Sequence, residues 1–99
     1  MLTLEYKGAA SEFEVDMFLL ENAESIRNAG IQAIKESYEL GLEDAHAVEI
    51  VVEDSTVDLI LKRSEWMTFL ADSLEPLVSN EDYENLVTVR ELMRLIPAK

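Results

Sequence analysis

The stretch Val48–Leu74, VEIVVEDSTVDLILKRSEWMTFLADSL, is the densest apolar and β-branched sequence of the chain, and its reading decides the fold. Read with a period of two, His46, Val48, Ile50 and Val52 point one way and Ala47, Glu49, Val51 and Glu53 the other. Val57, Leu59 and Leu61 alternate in the same manner with Thr56, Asp58, Ile60 and Lys62, which makes a hairpin turning at Asp54-Ser55. Read with a helical period, Val57, Ile60, Leu61, Ser64, Met67, Leu70, Ala71 and Leu74 form one stripe, opened by Ser55 and Asp58 as a capping box. The hairpin is the expectation, because Val and Ile lose side-chain freedom in a helix and fit a pleated surface.

Outward from that stretch, Leu2, Leu4 and Tyr6 alternate with Thr3, Glu5 and Lys7 as an opening strand. Gly8-Ala9-Ala10-Ser11 reads as a turn. Phe13, Val15 and Met17 against Glu12, Glu14 and Asp16 then give a second strand with an apolar and an acidic face. A competing reading starts a helix at Ser11 with Glu14 as its capping-box partner; the alternation is the cleaner signal. Asn22 caps a helix running to about Leu40 and ended by Gly41, with Gly30 marking close packing or a break. Ser64 caps the next helix, which Pro76 ends or kinks near Leu74, and Asn80 opens a last one. The expected fold is therefore α+β, a small antiparallel sheet of two hairpins with three helices in the order ββαββαα, as a single domain over residues 1–99. The alternative is an all-α bundle of four to five helices.

Composition narrows the function classes. An apolar fraction of 48% argues against wholesale disorder, and the absence of cysteine removes disulfides, thiolate metal sites and thiol nucleophiles. No apolar run is long enough to span a membrane and the start lacks a signal-peptide pattern, so a cytoplasmic location is expected. There are 21 acidic against 8 basic residues, a net charge of −13. Residues 1–58 hold 14 of the acids against Lys7, Arg27 and Lys35, so the excess sits in the front of the chain. Such a surface repels nucleic acid and anionic lipid and attracts basic protein surfaces.

No residue set points to catalysis. The single histidine, His46, has no nucleophile motif beside it, and three scattered glycines make no phosphate loop. On a strand, Glu12, Glu14 and Asp16 would stand about 6.5–7 Å apart, too wide to share one ion. No catalytic, cofactor-binding or metal-ligating residue is assigned, and the chain is read as non-enzymatic. Asp72-Ser73-Leu74, followed by EDYENLVTVRELMRLI, resembles the modified-serine motif and closing helices of acyl carrier proteins. That resemblance implies phosphopantetheine attachment at Ser73. This sequence departs from the family's pattern in placing Ser73 only 15 residues before Thr88, which leaves too little chain for the family's second helix.

What remains is binding. A row of carboxylates on a stiff strand imitates a line of phosphates, so the expectation is an acidic protein-binding module covering a basic, nucleic-acid-binding surface. Bacterial or phage inhibitors, immunity proteins and antitoxins have such surfaces. Its partner would be a toxin, a nuclease or a nucleic-acid-processing complex, with no direct contact to nucleic acid or membrane. The partner-binding residues expected are Glu5, Glu12, Glu14 and Asp16, joined by Glu49 and Glu53 if the hairpins share a sheet. Trp66 is the expected surface anchor, with Phe69 and Tyr83 in the core. The alternative is an oligomerising subunit, a homodimer included, or an assembly or secretion chaperone that covers an apolar client segment.

Overall fold

The computed structural model describes residues 2–6, 12–52 and 55–98. Their order is β1 (Leu2–Tyr6), α1 (Glu12–Glu21), α2 (Ala23–Leu40), β2 (Asp44–Val52), β3 (Ser55–Lys62), α3 (Arg63–Ser79) and α4 (Tyr83–Leu95), closed by a 3-10 turn over Ile96–Ala98. The class is α+β, but the order is βααββαα rather than ββαββαα. The all-helical alternative is excluded by a three-stranded sheet in the order β1-β2-β3.

The central hairpin forms. β2 and β3 pair antiparallel from Val52–Ser55 outward, with Ile50 opposite Val57, Glu49 opposite Asp58 and Val48 opposite Leu59. A turn at Asp54-Ser55 would have set Glu53 opposite Thr56, so the observed register differs from the expected one; Glu53 and Asp54 themselves lie outside the described residues. An irregularity between His46 and Val48 adds one residue, Ala47, opposite the step from Leu59 to Ile60. This bulge changes the phase of the strand. Ala45 and Ala47 are buried before it, Val48 and Ile50 after it, and His46 is exposed instead of sharing a face with Val48.

The first hairpin does not form. β1 pairs parallel with β2, Leu2 with Val48 through Tyr6 with Val52. Parallel neighbours need a crossover of about a dozen or more residues, and α1 with α2 supplies it. Phe13, Val15 and Met17 are therefore on a helix, and the expected Gly8–Ser11 turn lies outside the described residues. Adjacent Phe18 and Leu19 both pack on the sheet-side core, which a helix permits and an alternating strand does not. Tyr6 meets Phe18 edge to face, with ring centroids 5.1 Å apart.

Helix α2 follows its sequence signals. Gly41 ends it at φ 71°, a left-handed conformation, while the Leu42 N–H donates to Ser37 O at 2.8 Å. Asn22 has a different role from the one expected, since its Nδ2 donates to Phe18 O at 2.9 Å and so closes α1. Gly30 is a close approach to α3 rather than to the sheet: a Cβ there would lie 2.3 Å from Cζ of Phe69.

α3 starts directly from β3, without a loop. The Lys62 N–H donates to Glu65 Oε1 at 3.0 Å, so Glu65 satisfies the helix start in place of Ser64. Pro76 does not stop the helix, which continues to Ser79. The carbonyl it deprives of a partner belongs to exposed Asp72, and the added turn buries Leu77 completely. Helix α4 runs unbroken from Tyr83, capped by Asp82 accepting from the Asn85 N–H at 3.3 Å.

All helices pack on one face of the sheet. One cluster gathers Ile31, Ile34, Ala45, Trp66, Leu70, Leu77, Val89, Leu92 and Ile96, the other Tyr6, Ala47, Val48 and Ile50. Trp66 is fully buried, and its Nε1–H donates to Leu61 O at 2.8 Å, tying α3 to the strand it leaves. It is a core residue and not a surface anchor. Tyr83, expected in the core, is 59% exposed. No helix among the described residues is long and apolar enough to cross a membrane.

Candidate interaction surface

The pairing fixes which side chains share the uncovered face of the sheet. Residues directly opposite one another point the same way, so Thr3, Glu49 and Asp58 form one row across the three strands. Glu5 and Val51, with Thr56 beyond, form the next row, and Ile60 and Lys62 of β3 continue the face past Asp58, while their partners His46 and Asp44, beyond the bulge, border a groove against α2. None of these residues belongs to either core cluster. Glu5, Asp58 and Ile60 are exposed, and Glu49 and Val51 half-buried among their neighbours.

Glu49 and Asp58 are the unusual pair. Side chains directly opposite on antiparallel strands have Cβ atoms about 4.5–5.5 Å apart, and like charges there are destabilising. Among the described residues one ion pair forms, Arg94 with Glu91 on α4, away from the sheet. The only lysine or arginine among the paired residues of this face is Lys62, four rungs from the pair at the far end of β3.

The expected site residues thus divide. Glu5 and Glu49 do meet on one surface. Glu12, Glu14 and Asp16 do not form a strand row, because α1 carries them in the helical layer, with Glu12 and Asp16 one turn apart and Glu14 about 200° around the axis. Glu53 lies outside the described residues, and Trp66 is in the core. Asp58 takes their place. Its outward direction follows from the alternation in β3, but its position opposite Glu49 depends on the ladder starting at Val52–Ser55.

Ser73, the residue of the carrier resemblance, is 3% exposed within α3, and its hydroxyl donates to Phe69 O at 2.9 Å. Its side chain is nearly covered, at the floor of a groove between α1, α2 and α3. The two largest grooves among the described residues lie on the helical side, beside a third of about 290 Å³ between α2 and β2. One of about 370 Å³ is bordered by Leu59 of β3, Leu19 of α1, Ile26 and Arg27 of α2, and Phe69 and Pro76 of α3. Buried Nε of Arg27 has no hydrogen-bond partner there. The other, about 320 Å³, lies between α2 and α4 and includes Tyr38, Val87, Leu92 and Leu95. Comparison of the chain with protein-family models, with curated proteins and with solved structures finds no match.

Proposed function

We propose that this protein is a non-enzymatic acidic binding module that covers a basic surface of another protein through the open face of its sheet. The observation that carries the reading is the row Thr3–Glu49–Asp58 with Glu5 beside it: carboxylates held on rigid strands, with no ion pair of their own among the described residues. Two like charges kept opposite each other cost stability, and a cationic partner would recover that cost on docking. Val51 and Ile60 flank the Glu49–Asp58 row on either side and supply apolar area of the kind that interfaces bury. With a net charge of −13, encounter with a basic surface is accelerated at low ionic strength. An inhibitor, immunity protein or antitoxin directed at a nucleic-acid-binding protein is the functional class that fits such a face.

The test is a pull-down from the native host with the wild-type protein and with the triple variant Glu5→Lys, Glu49→Lys, Asp58→Lys. The expected result is a basic partner retained at low salt, released as salt rises, and absent with the triple variant, which keeps its thermal transition. Equal retention by the triple variant would overturn the reading. The second reading, an assembly or chaperone module for an apolar client, draws on the groove between α2 and α4, where Val87 is 67% exposed. A partner lost on Val87→Lys but kept by the triple variant would favour it.

A further inference from the structure

We propose that the free edge of β3 accepts a fourth strand, namely an extended segment of a partner protein in which lysine or arginine alternates with apolar residues. The proposal rests on the acidic-face reading and names the form of the partner. β3 is bonded to β2 on one side and, among the described residues, to nothing on the other. All eight of its residues are exposed or half-buried, and it contains no proline to block pairing. A strand in that state presents a row of unpaired backbone donors and acceptors, the template used when a peptide adds to a sheet.

The two sides of β3 dictate what the added strand carries. A new neighbour lies about 4.8 Å away, so its outward side chains stand beside Thr56, Asp58, Ile60 and Lys62. The position beside Asp58, with Glu49 directly behind, favours a cation. Its inward side chains stand beside Val57 and Leu59. Val57 points toward the helical layer yet is 51% exposed, because no helix reaches it, and Leu59 borders the groove of about 370 Å³ formed with Leu19, Ile26, Phe69 and Pro76. Those positions favour apolar groups, which would cover Val57 and enter the groove. A strand has period two, so across Val57–Leu59 the two demands combine into a basic residue flanked on both sides by apolar ones. A second copy of this chain is a poorer occupant, since each copy brings a net charge of −13. β1, the other edge, has five described residues to β3's eight.

Two fluorescein-labelled peptides of the length of β3 test this: one alternating lysine and valine, the other with the same residues in two blocks. Anisotropy reports affinity, and amide hydrogen exchange reports where the peptide sits. The expected result is that the alternating peptide binds at least about tenfold more tightly than the block peptide. Amides of Ser55–Lys62 should gain protection, and Val57→Lys should abolish the difference between the peptides without changing exchange in the β1–β2 ladder. Equal binding of both peptides, or protection confined to residues outside β3, overturns strand addition while leaving the acidic-face reading standing. Failure of both peptides to bind at low salt overturns the two together. Protection of β3 that rises with protein concentration and excludes the peptide assigns the edge to a second copy and overturns the proposal.

Discussion

Val48 and Val51 occupy the same strand three residues apart, and the fold treats them oppositely. Val48 is fully buried under α1 and α2, whereas Val51 lies on the face that no helix covers, beside Glu5, Glu49 and Thr56. The inner face of the sheet holds the molecule together. The outer face carries charge that folding does not need, and in the case of Glu49 opposite Asp58 does not want. Comparing the two faces separates the residues that make the fold from those available to a partner.

That separation is measurable. The largest effect belongs to the inner layer: Trp66→Ala should cost about 3–5 kcal/mol in urea unfolding, from the cavity left and the Leu61 carbonyl stranded without its donor. The valine pair tests the contrast within one strand. Val48→Ala removes two buried carbons and should cost about 2 kcal/mol, while Val51→Ala should stay within about 0.5 kcal/mol. Equal losses at the two positions would break the comparison.

Gly30→Ala tests the helical layer. Its Cβ would collide with the Phe69 ring, and the overpacking exceeds the gain in helix propensity to leave a net loss of about 1–2 kcal/mol. In a Phe69→Leu background the same substitution should cost measurably less, and an unchanged cost would refute the contact as its cause. The smallest effect has the opposite sign. Glu49→Thr relieves the repulsion with Asp58 and should stabilise by about 0.5 kcal/mol, seen as a higher Tm, while weakening partner binding if the outer face is the docking surface.

Some of this architecture is written locally. The hairpin was legible because Val57, Leu59 and Leu61 alternate with polar residues and β-branched side chains favour the pleat. α2 was legible because its apolar stripe ends at a glycine that supplies the left-handed φ a helix terminus requires. The candidate surface was half legible. Glu5 and Glu49 were placed outward by alternation alone, whereas Asp58 joined them only through a register that starts one residue away from the expected turn. Trp66 was misjudged because an aromatic with a polar N–H suits both a surface and a core. Its burial was decided by Leu61 O, a strand carbonyl placed to accept that N–H.

The sequence by itself determined the class, the central strands, the long helix after Asn22 and the excess of acidic over basic residues. Tertiary structure alone decided the rest. Glu12–Met17 alternates like a strand, yet the place beside β1 is taken by β2 in parallel, and the crossover this demands turns the segment into helix α1. Alternation says only that a segment has two faces. Which neighbour covers each face depends on contacts between residues far apart in the chain, as Leu2 pairing with Val48 shows.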